Sequence, residues 1–174
     1  MRLRQISTMV FVGSMMSLLC CGVMSEQHDA NDIARDIMHE TNKYRLMHDL
    51  KPLEWDPALA DMAQRHSSDM VDRNFFSHVT PDGKTMRDRA VELGLYSEAS
   101  QQIAENIGMI TPGILTNKNV YVPDTPGGIA FTQVALWVQS PGHRLNMLNP
   151  DYKFIGVGVR FDGVRYYYIT QVFR

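Results

Sequence analysis

The chain has 174 residues, with 17 Lys and Arg against 19 Asp and Glu, 44% hydrophobic residues and 2 cysteines, which is enough for one domain that buries its own core without a metal or disulfide. A formal charge of −2 gives no basic footprint for nucleic acid. The hydrophobic share is too high for disorder, and a mean hydropathy of −0.23 excludes a multi-span membrane protein.

Residues 1–24 open with Arg2 and Arg4 and continue as an apolar run over 9–21. This is the order of a secretory signal peptide cut after Ser25, and the run is shorter than the roughly 20 residues that span a bilayer. Residues 1–25 are therefore expected as a leader, and the rest as a secreted, periplasmic or cell-envelope chain without a transmembrane span. Two alternatives stay open: an uncleaved anchor, and lipid attachment at Cys20 or Cys21. Cleavage after Ser25 removes both cysteines, leaving no thiol nucleophile, no cysteine-ligated zinc and no internal disulfide.

Residues 26–31 read as a flexible lead-in, with His28 exposed. Ile33, Ile37, Tyr44 and Met47 mark a first helix over 32–47. A connector over 50–56 turns Leu53 and Trp55 inward. Asp56-Pro57 is a strong helix start, followed by Leu59, Ala63, His66, Ser67 and Met70 on one face of a helix to about 73. The loop 74–78 carries Phe75 and Phe76, both expected to be buried. A turn at 80–83 leads into a third helix over 85–93, with Met86, Ala90 and Leu93 inward and Gly94 as its stop. Residues 103–110 read as a strand. The stretch 111–126, with three prolines and no periodicity, reads as a long loop, of a length that is usually functional or mobile. A fourth helix is expected over 127–140, burying Ile129, Phe131 or Thr132, Ala135 or Leu136, and Val138. Ser140-Pro141 starts a short helix that carries His143. Residues 154–161 and 164–173 form a hairpin around an Asp162-Gly163 type I′ signal, with Ile155, Val157, Val159 and Phe161 on one side. The class is α+β, with helices around a small antiparallel sheet.

No G-x-S-x-G elbow, phosphate-binding Gly-Lys loop or EF-hand pattern is present. His39-Glu40 begins like H-E-x-x-H, but Lys43 stands where the second zinc ligand belongs, so both are expected on a solvated helix face. His48 is expected to be exposed and His66 to be a satisfied core histidine. His78 and His143 each sit in a loop or at an element start. In the first turn of a helix the dipole disfavours imidazolium, and neutral imidazole is the form that binds metal or accepts a proton. Glu105 is a lone carboxylate in an apolar strand, so it must pair, bind a cation or face a cleft. Two histidines and a carboxylate match a three-ligand zinc set with an open position for water. Nothing local forces the three together. On the alternative reading the histidines cap loops and Glu105 pairs with an arginine.

Seven segments then occur in a telling order: Leu53-Glu54-Trp55-Asp56-Pro57, Phe76-Ser77-His78, Ala104-Glu105-Asn106-Ile107, Ala135-Leu136-Trp137, Ser140-Pro141-Gly142-His143-Arg144, Ile155-Gly156-Val157-Gly158-Val159 and Tyr168-Ile169-Thr170-Gln171-Val172-Phe173. Together they resemble the CAP superfamily (the SCP domain of cysteine-rich secretory, antigen 5 and pathogenesis-related proteins) in its compact bacterial form. The resemblance covers nearly all of residues 32–174. It implies an α-β-α sandwich and a central cleft of two His and two Glu that binds divalent cations in some members. His78, Glu105 and His143 match three of the four positions. Ser140 stands at the fourth, so zinc or another divalent cation would have three protein ligands at most.

The resemblance implies an extracellular binding or interaction module for a lipid, sterol or peptide, with the 111–126 loop shaping a groove. The alternative is a metal-dependent, peptidase-like hydrolase in which His78 and His143 hold the metal and Glu105 is third ligand or general base. Neither Ser77 nor Ser140 has a nucleophile context, and no Asp is placed to orient a triad histidine. Geometry separates the two: a working site needs converging groups around an open position, whereas a binding module needs an accessible apolar groove.

Overall fold

The computed structural model of the chain describes residues 28–96, 102–114, 116 and 119–174. The leader expected at 1–25 lies outside them. Helix starts follow the capping residues. Asp29 accepts from the Asn31 N–H at 2.7 Å and opens α1, Ala30–Leu46, so the helix begins inside the segment expected as a lead-in. His28 is correspondingly not exposed: Asp124 folds back to meet its Nε2 at 2.8 Å, and its N–H donates to the Tyr167 hydroxyl. Strand β1, Glu54–Trp55, is followed by α2, Pro57–Asp72, which Asp56 caps. Thr85 and Asp88 close a reciprocal capping box on α3, Met86–Glu92. Strand β2, Ala104–Ile110, precedes α4, Pro126–Val138, capped by Thr125. Ser140 occupies the N-cap of α5, Pro141–Met147, but its side chain makes no capping bond. Strands β3, Phe154–Phe161, and β4, Tyr167–Phe173, close the chain.

The sheet runs β1-β3-β4-β2. Strands β3, β4 and β2 are antiparallel, while the two residues of β1, expected as a connector, pair parallel with Phe154 and Ile155. The β3–β4 turn is longer than the Asp162-Gly163 signal implies. Asp162 Oδ1 accepts from the N–H groups of Val164, Arg165 and Tyr166 at 2.7–3.0 Å. This side-chain mimic of a backbone turn holds a five-residue loop, and the return strand starts only at Tyr167.

Alternation along the strands assigns the two faces. Ile155, Val157, Val159, Ile169 and Phe173 join Ile33, Ile37, Ile129 and Trp137 in the larger core beneath α1 and α4. On the other face Val172 packs with Leu59, Met62 and Ala63 of α2 and with Ala90 of α3. The result is an α-β-α sandwich, as expected. Helix α2 comes unusually close to β3 because two residues have no side chain. A Cβ on Gly156 would lie 2.2 Å from the backbone of Leu59 and Ala60, and one on Gly158 would lie 2.1 Å from the Gln64 nitrogen.

Three burial expectations fail, the first at Leu93, expected inward but 36% exposed at the end of α3. Phe76 is 46% exposed and only edges onto the Tyr168 ring, because the loop 74–78 is steered by its polar residues toward β2. In α4 the core takes Ile129, Ala130, Thr132, Gln133, Val134 and Trp137, while Phe131 is 62% exposed. Helix α4 is apolar nearly all round, so periodicity could not select the inward face.

Gly158→Ala should destabilise the fold by about 2 kcal/mol or more, toward the upper part of the range for overpacking, because backbone rather than a flexible side chain must yield. Urea unfolding checks this, and an unchanged midpoint would rule out the close approach of α2.

Candidate functional site

Glu105 is on the α2 side of edge strand β2, with its side chain 2% exposed. A carboxylate buried so completely stays charged only if each oxygen is satisfied. Oε1 accepts from His78 Nδ1 at 2.9 Å, and Oε2 accepts from Arg89 Nη2 at 2.6 Å. Arg89 also donates through Nη1 to the His78 carbonyl at 3.0 Å, so one guanidinium holds both the carboxylate and the loop that carries its histidine partner. The His78 side chain is half exposed and forms the open side of the pair. The short helix α3 aims these groups: Ala90 is buried beneath it, Arg89 turns to Glu105, and Arg87 turns away over Tyr96.

His66, on the inner face of α2, is fully buried behind the pair. Its Nε2 lies 3.0 Å from the Ser77 carbonyl and 3.9 Å from Glu105 Oε1. A carbonyl can only accept, so Nε2 carries a proton. Its Nδ1 has no partner among the described residues. Burial pulls the His66 pKa below the usual histidine range, opposed by Glu105 and reinforced by Arg89.

His143 reaches the same strand from the opposite side. Asn106, fully buried, donates to the His143 carbonyl at 3.2 Å and to Gln171 Oε1 at 3.1 Å. Asn146 donates to Asn106 Oδ1 at 2.8 Å and to the Glu105 carbonyl at 3.3 Å, and Trp137 Nε1 caps the Ile107 carbonyl. These bonds cover the outer edge of β2 and hold α5 against it. The far end of α5 is fixed by Arg45, buried in α1, which donates to the carbonyls of Met147 and Asn149. The His143 ring lies 6.4 Å from the Trp137 ring.

The structure thus brings His78 and Glu105 into direct contact and ties His143 to the neighbouring residue through its backbone. It adds Arg89, His66, Asn106 and Asn146, which motif reading had not placed in the site. The arginine partner was anticipated in kind for Glu105, but not which arginine. For a divalent cation the donor chemistry fits poorly. Both Glu105 oxygens are taken, one of them by a permanent cation, and among the described residues no group of three or more His, Cys, Asp or Glu converges closely enough to hold a metal ion.

A second feature lies on the other side of the sandwich. Tyr44 and Met47 of α1 and its C-terminal turn face Phe131, Val134, Ala135 and Val138 of α4 across an open groove of about 390 Å³. Its wall is almost wholly apolar, with Glu40, Lys43 and Gln139 at the rim.

The chain matches the model of the cysteine-rich secretory protein family (CAP) over residues 38–173. It is similar to the uncharacterized membrane protein YlbC of Bacillus subtilis, 36% identical over 126 residues that make up 72% of this chain and 31% of that protein. It is similar to a solved extracellular protein containing a SCP domain from Bacillus anthracis, at 34% identity and a TM-score of 0.62 over 83% of this chain and 40% of that one. It shares its fold with an outer surface protein from Borrelia burgdorferi, at 18% identity and a TM-score of 0.65 over 84% of this chain and 94% of that one. The chain spans less than half the length of the curated relatives it matches. No helix among the described residues is long and apolar enough to cross a membrane.

The buried neutral His66 makes stability depend on pH. Its folded pKa is lowered, so below about 6.5 the unfolded chain binds a proton that the folded chain does not, and stability falls as pH drops through that range. His66→Gln should remove this part of the loss. Equal slopes of unfolding free energy against pH in wild type and variant would contradict it.

Proposed function

The chain belongs to the cysteine-rich secretory protein (CAP) family, and on that premise we propose that it is an extracellular binding module whose ligand is the hydrocarbon part of a lipid, seated between α1 and α4. The observation that carries this reading is the misplaced face of α4. Phe131, Ala135 and Val138 recur at helical spacing, yet they line an open groove instead of the core. Phe131 at 62% and Met47 at 78% exposure leave apolar surface in water that a ligand would cover. The volume falls in the range of small-molecule sites, roughly 300–1,000 Å³.

The walls favour a lipid over a peptide. They are two helices whose backbone groups bond within each helix, so an extended peptide would leave its own N–H and C=O groups without partners. A hydrocarbon chain asks for none, and the polar rim of Glu40, Lys43 and Gln139, with Lys43 paired to Glu40, leaves a polar edge for a head group. The relative described as extracellular supports the location. The hydrolase alternative asks Glu105 to serve a metal-bound water. With the Arg89 guanidinium against that carboxylate, the groove supports binding better than the cleft supports hydrolysis.

Titration of the purified protein with a fluorescent fatty acid should show saturable one-to-one binding. Ala135→Trp, which fills the groove from a half-buried position, should weaken that binding at least about tenfold, or about 1.4 kcal/mol, with little change in the thermal midpoint. Absence of saturable binding, or binding indifferent to Ala135→Trp, would reject the lipid reading. Saturation by a sterol or an apolar peptide in its place would change the ligand class.

A further inference from the structure

We propose that Arg89 is the resident cation of the Glu105 cleft: its guanidinium holds the charge position that a divalent ion would need, and the cleft of this chain works without bound metal. This stands apart from the groove between α1 and α4, and either can fail alone.

The geometry carries it. Arg89 Nη2 contacts Glu105 Oε2 at 2.6 Å, and the two side chains are 11% and 2% exposed. At this burial the attraction between them is much stronger than for a surface pair. Stripping either partner would leave a charge in a medium that does not solvate it. A divalent ion approaching the same carboxylate would have to displace the guanidinium or sit beside it, and both are costly for the same reason. Arg89 is also anchored twice. Its second nitrogen holds the His78 carbonyl, and Ala90, the next residue, is buried under α3. Swinging out would therefore break its bonds to the carboxylate and to the His78 loop together.

What lies behind the guanidinium gives the inference its test. His78 Nδ1 and His66 Nε2 face the same oxygen, Glu105 Oε1, at 2.9 and 3.9 Å. Two imidazoles and one carboxylate are a common three-ligand set for zinc. His66 is not one of the residues expected to hold a metal, and its Nε2 proton is donated to the Ser77 carbonyl. As they stand the three do not converge closely enough to hold an ion, and the Arg89 guanidinium, bonded to Glu105 and to the His78 carbonyl, both opposes a cation and holds the His78 loop in that arrangement.

The experiment is zinc calorimetry, paired with thermal unfolding at increasing zinc, since an ion that binds only the folded state raises the midpoint with concentration. Wild type should show no one-to-one heat and no midpoint shift. Arg89→Met should gain one-to-one binding at least about 100-fold tighter than wild type, about 2.7 kcal/mol at roughly 1.4 per tenfold. His78→Ala added to Arg89→Met should abolish it. A folded Arg89→Met protein that binds zinc no better than wild type would overturn the proposal. Should Arg89→Met not fold, wild type decides alone: a one-to-one shift of the His78 ring resonance on adding zinc would overturn it, and an unmoved resonance would support it.

Discussion

A carboxylate with almost no contact to water, set in an apolar edge strand, is the constraint around which one side of this molecule is arranged. An isolated buried carboxylate costs several kcal/mol even after relaxation, so Glu105 cannot stand in β2 unless other elements come to it. Arg89 brings α3, His78 brings the loop after α2, and His66 stands behind both. The His78 loop and α3 therefore take their places from side chains that meet one group. The ion pair contributes less to net stability than its closeness suggests, since desolvation offsets most of the attraction. Its effect is to specify where α3 and the His78 loop must lie.

The opposite requirement governs the contact between α2 and the sheet. There the packing is set by what is missing: Gly156 and Gly158 leave room for the helix backbone to lie directly on β3. That approach sets the depth of α2 and hence of His66, which would miss Glu105 if a pair of methyl groups lifted the helix. On the far face a polar line runs through the core from Thr41 to Gln171, Asn106 and Asn146. It ties α1, β4, β2 and α5 into one network. Each member is satisfied, which is what allows so much amide inside a hydrophobic layer. The loop holding His78 and the helix holding His143 are thus fixed to adjacent residues of β2 by independent means.

Helix α4 shows how the same composition can serve core and ligand. It turns Ile129, Val134 and Trp137 inward and leaves a second apolar stripe to face α1 at the surface. A chain without a cysteine outside its first 25 residues has no disulfide to hold such a groove open. The two helices are instead spaced by their shared packing on the sheet, and the open groove is the gap that this spacing leaves. The charge-compensated cleft and the apolar groove lie on opposite sides of the sheet, so binding at one need not disturb the other.

Local chemistry wrote much of this protein plainly into its sequence. Asp56-Pro57 starts α2 where it should, Thr85 and Gly94 bound α3, alternation marks β3 and β4, and the lone Glu105 announces a partner, because caps, periodicity and the cost of a buried charge act over a few residues. The failures share one cause, dependence on residues distant in the chain, except at the β3–β4 turn, where the N–H groups that Asp162 binds lie two to four residues on. Strand β1 exists only because β3 lies beside it. The β3–β4 turn lengthens because Asp162 finds three N–H groups that a two-residue turn would not offer. The inward face of α4 is chosen by the sheet and α1, since every face of that helix is apolar enough. The partner of Glu105 is Arg89 and not Arg87, a choice made by which side of α3 Ala90 buries. Sequence alone determined the elements, the family pattern and the need for compensation; tertiary structure decided which groups meet, because burial and charge pairing are settled only when separate elements share a surface.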